Sequence, residues 1–235
     1  MKAILKRELS SYFSSPIAYL VIAVFYAFSG LFFVATCFEN GGSSSLAYTF
    51  SNSFMVVIFI IPLITMKSFS EEKRQKTDQA LLTAPVSLFE IVFSKFLGAF
   101  ILFSICCSIF VVYSYVISLH GNADWAVNIC TLVGLLLLGG ALIAINIFIS
   151  VLTESQVVSA VVGMAVGLVL WLLNTIVSMI NVDWIANVIE SISFTNYYAN
   201  FTYGLLDLPG IIFFTSIIAL FLFLTISQLN KKRWN

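Results

Sequence analysis

Residues 66–95 read MKSFSEEKRQKTDQALLTAPVSLFEIVFSK. Charge is dense over this one long interval: Lys67, Glu71, Glu72, Lys73, Arg74, Lys76 and Asp78 lie close together, followed by the apolar pair Leu81 and Leu82 and then Pro85. On both sides the charge disappears. Runs without a charged residue cover 9–38, 40–66, 96–123, 125–153, 155–182 and 208–230. A helix needs about 20 mainly apolar residues to cross roughly 30 Å of hydrocarbon, and each run is long enough. Six transmembrane helices follow, and the quoted stretch connects the second to the third. A charged segment ending in an apolar knob and a helix stop, held between two spans, reads as a docking element for a soluble partner.

Composition points the same way. The chain has 235 residues, 60% hydrophobic and 9% charged, where a soluble domain carries about 25% charged residues. Strands of a membrane barrel would show alternating segments of about ten residues, and these runs of Phe, Ile, Leu and Val are continuous instead. The fold class is therefore an all-α membrane protein, a single membrane domain over 1–235. The apolar run after residue 15 exceeds the core of a signal peptide, about 7–15 residues, so the first span is expected to stay.

Lys and Arg near span ends set orientation. Lys2, Lys6 and Arg7 precede the first span, Lys67, Lys73, Arg74, Lys76 and Lys95 lie between the second and third, and Lys231, Lys232 and Arg233 follow the sixth. With six spans these three segments share one side, so both termini and the charged stretch are expected in the cytoplasm, with the chain in the inner (cytoplasmic) membrane. The other side carries only acids: Glu39, Asp124, Asp183, Glu190 and Asp207. The formal net charge is zero, and no basic surface is left over for nucleic acid. Cys37, Cys106, Cys107 and Cys130 form no spaced framework and read as small hydrophobes, although Cys37 and Cys130 both fall near outer span ends.

Residues 1–15 place Leu5, Leu9, Tyr12 and Phe13 on one helical face and Lys2, Lys6 and Ser10 elsewhere, the pattern of an interfacial helix lying on the bilayer. Pro16 turns the chain into the first span, about Ile17 to Phe38. The second span, about Phe54 to Met66, carries Pro62, either a local bend or a hinge that passes motion from the charged stretch into the bundle. Ser70 ahead of Glu71 and Glu72 reads as a hydroxyl capping the free amides of a short helix. Pro85 ends that helix, and a second short one, Ser87 to Lys95, leads into the third span, Phe96 to Leu119. The fourth span, about Val127 to Leu152, contains Gly134, Gly139, Gly140 and Asn146, and Glu154 is the single charge in the turn after it. In the fifth, Ser159, Gly163 and Gly167 repeat every four residues, a small-residue stripe for close helix packing. The spacing leaves open whether that contact lies between two subunits or within the chain. Asn174 is a buried polar group that wants a partner. Residues 181–210 are too polar for a span and too aromatic for an ordinary loop, so they are expected to dip into the outer leaflet as short re-entrant helices. The sixth span runs from about Gly210 to Leu229. His120 lies in an external loop without a companion ligand, so a metal site is not expected.

Glu72, Lys73, Thr77, Leu81, Leu82, Pro85 and Lys95, flanked by spans, resemble the cytoplasmic segment of type-2 ABC exporter permeases, six-span subunits that pair with a separate ATPase. The aromatic piece SISFTNYYANFTYGLLDL, residues 191–208, looks closest to the gliding-motility-type branch of that family. The resemblance implies a single permease domain with 1–15 as interfacial helix, 67–95 as coupling segment and 181–210 as external re-entrant segment. It places the ATPase contact at Glu71, Glu72, Lys73, Arg74, Thr77, Leu81 and Leu82; Glu154, as the single charge of its cytoplasmic turn, is read as a further contact with the same partner. It further implies an ABC ATPase subunit that binds ATP and Mg, a second permease chain as homo- or heterodimer, and an extracytoplasmic auxiliary subunit. No cofactor is expected on this chain itself.

Exclusions narrow the function. No GxxxxGK[ST] loop occurs, so the chain is not an ATPase, and a single histidine cannot make the HExxH of a metalloprotease. No charge lies within the six runs, against ion-coupled transport. The leading reading is the membrane permease of an ABC exporter, in which ATP closure presses the 71–82 helix, tilts the bundle through Pro62 and opens a path toward an outer gate of Phe194, Tyr197, Tyr198 and Phe201. The alternative is a non-transporting anchor or assembly factor whose charged stretch binds a protein that is not an ATPase.

Overall fold

The computed structural model describes residues 1–40, 43–74, 76, 87–120, 124–178 and 192–234; side chains are not described at 37–40, 43–45, 120, 174–178 and 232–234. Every described element is helical: α1 (Lys2–Ser14), α2 (Pro16–Asn40), α3 (Ser43–Thr65), α4 (Ser70–Arg74), α5 (Leu88–Cys107), α6 (Ile109–His120), α7 (Trp125–Leu152), α8 (Gln156–Ser178), α9 (Phe194–Thr202) and α10 (Leu208–Trp234). Six stretches are long and apolar enough to cross a membrane, the third of them made by α5 and α6 together. These are the six spans expected from the charge-free runs.

The spans are not equivalent. In α7, 72% of the most apolar window is buried, against 22% in α8 and in α10. The fourth span is therefore the axis of the bundle, touched by α3, α5, α8, α9 and α10. Small residues allow this: a Cβ on Gly139 would collide with the ring of Phe103, and one on Gly134 with Phe201. The faces that α8 and α10 turn outward are apolar, with Val157, Val161, Ile212 and Phe223 all exposed, as helices in contact with lipid require.

Several boundaries differ from those read in the sequence. The helix of the second span begins at Ser43, well before Phe54, because Leu46, Phe50 and Phe54 continue one buried row at four-residue spacing. The third span has no separate lead-in helix. Ser87 caps α5 by accepting from the Glu90 amide at 3.2 Å, and the helix then runs unbroken through Lys95 to Cys107. Its one interruption is at Ser108, whose amide is shared between the carbonyls of Ser104 (3.1 Å) and Ile105 (3.2 Å).

Within the expected re-entrant segment, the described part is α9, capped by Ser193, which accepts from the Asn196 amide at 3.2 Å. It is closed by Gly204, whose φ of +79° is left-handed. Asn200 then donates to Asp207 at 2.9 Å and fixes α9 against the start of α10. Residues 179–191 and the side chain of Asn174 lie outside the described residues.

Candidate functional site

The polar end of the bundle, where α1, α3, α4, α5 and α7 meet, gathers the buried charge found among the described residues. Ser150 in the last turn of α7 organises one half of it. Its Oγ accepts from the amides of Phe69 (3.0 Å) and Ser70 (3.1 Å), while the Ser70 hydroxyl donates to the Ser150 carbonyl at 3.1 Å and reaches Thr153 Oγ1 at 3.2 Å. The Lys73 ammonium donates to the Val151 carbonyl. A helix leaves its first amides and last carbonyls without internal partners; here the start of α4 and the end of α7 satisfy each other. This corrects the expected role of Ser70. It is the first helical residue, and the hydroxyl that receives the free amides belongs to Ser150, 80 positions away.

Lys95 organises the other half. It is 2% exposed, and its Nζ donates to Ser68 O at 2.7 Å, Glu72 Oε1 at 2.9 Å and Glu8 Oε1 at 3.1 Å. Three donors meet three acceptors, and the ammonium also lies 4.9 Å from the centroid of Phe69. Arg7 closes the ring by donating to Glu8 at 3.1 Å and Glu72 at 3.2 Å. Two cations and two carboxylates thus tie α1, α4 and α5 together. A buried charge is tolerated only when paired and hydrogen-bonded, so each member depends on the others.

The fit of α1 explains how Glu8 arrives. Ile4, Glu8 and Tyr12 fall on one row of the helix, and this row faces α5, where Gly98 lies against Glu8 Cβ and the Tyr12 ring. The Leu5, Leu9 and Phe13 row is left partly or fully open. The sequence signal for Glu8 is slight: a lone acid among basic residues. Lys95 offers a better one, since it sits at the very edge of a charge-free run on a helix that continues into it.

Of the remaining expected contact residues, Glu71 and Arg74 lie on α4, Arg74 exposed. Glu154 is exposed in the turn beside Thr153, on the same end as α4. Thr77, Leu81 and Leu82 lie outside the described residues. Deeper in the bundle, Pro62, Asn146 and Gly163 converge. Asn146 donates to Leu142 O at 2.8 Å, and its buried Oδ1 has no hydrogen-bond partner among the described residues. A Cβ on Gly163 would collide with that oxygen and lie 3.2 Å from Pro62 Cβ, and one on Gly167 would meet Ile58 Cγ2 at 2.8 Å. Gly163 and Gly167 therefore face α3 and α7 of their own chain, and Ser159, one turn earlier, is buried.

At the other end the four aromatics of α9 pack inward. Tyr198 donates to Phe50 O at 2.9 Å, Tyr197 stacks on Phe213 at 4.4 Å, and Phe194 and Phe201 both contact Phe214. Phe201 O accepts from Thr131 at 3.0 Å. Cys106, Cys107 and Cys130 are free and buried. Among the described residues no group of His, Cys, Asp and Glu could hold a metal ion.

Comparison with known proteins adds a family. A family model described as ABC-2 type transporter matches residues 1–198. A search of curated proteins finds no match. With six apolar spans and a match over most of its length, the chain belongs to the ABC-2 type transporter family, as a membrane-spanning permease subunit of an ABC transporter.

Proposed function

We propose that the chain works as the membrane half of an exporter of the inner membrane, both termini cytoplasmic, driven by a separate ABC ATPase that seats on the 71–82 segment and on Glu154. The observation that carries this reading is the bonding of Ser70 to Ser150, because it joins the segment an ATPase would press to the axial helix of the bundle. A push on α4 then moves α7 directly, and through Glu72 and Lys95 it also moves α1 and α5. Displacement reaches the far end through α7, against which α9 and α10 pack.

A second permease chain, as homo- or heterodimer, would complete the path, with Phe194, Tyr197, Tyr198 and Phe201 at its outer end. The absence of charge along the six apolar runs favours an apolar or amphipathic cargo, or work done on an extracytoplasmic auxiliary protein, as in the gliding-motility-type branch. The test is affinity purification of the tagged chain in mild detergent. A Walker-motif ATPase should co-purify and be lost with Leu81→Asp; retention of the ATPase by that variant sinks the docking assignment.

A further inference from the structure

At the end of the bundle opposite the charged ring, a small cleft opens between α3, α6 and α7. Asn128 is its polar centre. This residue is 4% exposed, it lines the cleft, and its Nδ2 is buried without a hydrogen-bond partner among the described residues. A buried amide in that state points to a missing partner, because most buried side-chain polar atoms are paired. The buried rings of Phe50 and Phe110, stacked at 4.3 Å, and the indole of Trp125 supply aromatic walls around it.

Ser114 is the other buried polar side chain on the cleft. Its Oγ donates to Phe110 O at 2.9 Å, so its hydrogen is committed and its oxygen is left to accept. An amide that needs an acceptor, beside a hydroxyl oxygen that can accept, suits an O–H group, which takes a bond from one and gives its hydrogen to the other. None of the lining residues is charged, so a phosphate or an ammonium would lose its hydration there without a counter-charge. Size narrows the choice further. The space is about 20 Å³, room for one water-sized group and far below the roughly 300–1,000 Å³ of a site that encloses a whole small ligand. A single oxygen enters, and the rest of its molecule lies outside.

The surroundings identify that remainder. Val111, Trp125 and Ile129 are exposed where they line the cleft, so its mouth is apolar. Trp125 opens α7, and Asn128 lies three residues on, about 4.5 Å further along the helix axis, just inside the level at which Trp anchors a span at the bilayer surface. A molecule that puts an oxygen there has its body among acyl chains. We propose that the cleft binds the hydroxyl end of an uncharged lipid of the diacylglycerol kind, its oxygen accepting from Asn128 Nδ2 and its hydrogen donated to Ser114 Oγ. This concerns occupancy of a site on the chain and does not rest on the export reading.

Native mass spectrometry of the full chain in detergent micelles tests this with two probes, diacylglycerol and its methyl ether, which keeps the acyl chains and lacks the O–H. Diacylglycerol should bind about tenfold more tightly than the ether, the worth of one hydrogen bond. Asn128→Leu removes the amide at similar volume and should weaken diacylglycerol binding about tenfold as well. Its melting temperature should stay level or rise, since the substitution also removes an unsatisfied buried group, and this separates lost binding from lost folding. Ile129→Trp, on the exposed rim, should block the mouth and lower binding with the fold intact. Ile212→Trp, on the exposed face of α10, should bind as the wild type does. Should Asn128→Leu fail to fold, Ile129→Trp decides alone. Equal binding of diacylglycerol and its ether, or wild-type binding by whichever of Asn128→Leu and Ile129→Trp folds, overturns the proposal and leaves a cleft that holds water.

Discussion

Lys95 Nζ and Glu72 Oε1 lie 2.9 Å apart, joining the first turns of the third span to the short helix of the connecting segment across 23 residues of sequence. The lysine is almost fully enclosed, so the pair is structural in a way that exposed ion pairs are not. Breaking a buried pair from one side costs about 3–5 kcal/mol, because the other charge is left uncompensated. Lys95→Met should therefore lower the melting temperature of the purified chain sharply. Adding Glu72→Gln to it should recover part of the loss, since Arg7 and Glu8 then remain as a neutral pair. A double variant no more stable than Lys95→Met would show that the carboxylate is not the source of the cost.

Ser150→Ala removes the acceptor of two buried amides. Leaving buried donors unsatisfied costs about 1–3 kcal/mol, and the effect should be local. Amide hydrogen exchange at residues 69–73 should quicken more than exchange in the middle of α7. In the assembled transporter the same variant should hydrolyse ATP with less transport per cycle. Unchanged exchange at Phe69 and Ser70 would contradict the arrangement.

Gly163→Ala should destabilise by about 1–3 kcal/mol, the usual cost of overpacking, because its methyl group collides with Asn146 Oδ1. Asn146→Ala clears that space. The double variant should lose less stability than the two single losses added together, as neighbouring sites do. Strict additivity in thermal melts would place the two residues apart.

Gly204→Ala tests the closure of α9. A left-handed φ costs a residue with a Cβ about 1–2 kcal/mol, and the new methyl group would press on Val127. Exchange at the amides of Tyr198 to Thr202 should rise. If those amides stay as protected as in the wild type, the turn does not hold the helix in place.

Much of the architecture was legible because the bilayer imposes it. Six charge-free runs can hardly be anything but spans. Boundaries were less legible where a helix continues past its most apolar part, as at Ser43 and Leu88: the first is followed by the buried row from Leu46, and the second is held by the Ser87 cap ahead of buried Ile91. The polar joint was harder still. Ser70 looked self-sufficient as a cap, and nothing local announces that its partner is Ser150. Glu8 reads as an incidental acid until Lys95, from another helix, needs a counter-charge. Such pairs are fixed by tertiary distance, which neither periodicity nor composition contains. The small residues of α8 carried a clear signal for close packing, but which helix they approach depended on the path of α3.

The linkage of α4 to α7 also limits how the bundle can deform. The two helices meet through backbone groups on both sides, so the angle between them is stiff. Yet α4 also follows α3 after only the residues 66–69, which closes a small loop of three helices with one rigid corner. A linkage with a locked corner concentrates its travel in the joints that remain. Any sliding of the second span against the fourth has to be absorbed in that short turn or at Pro62, where the proline has already removed one backbone bond. Stiffness at one serine pair thus decides where compliance must be sought.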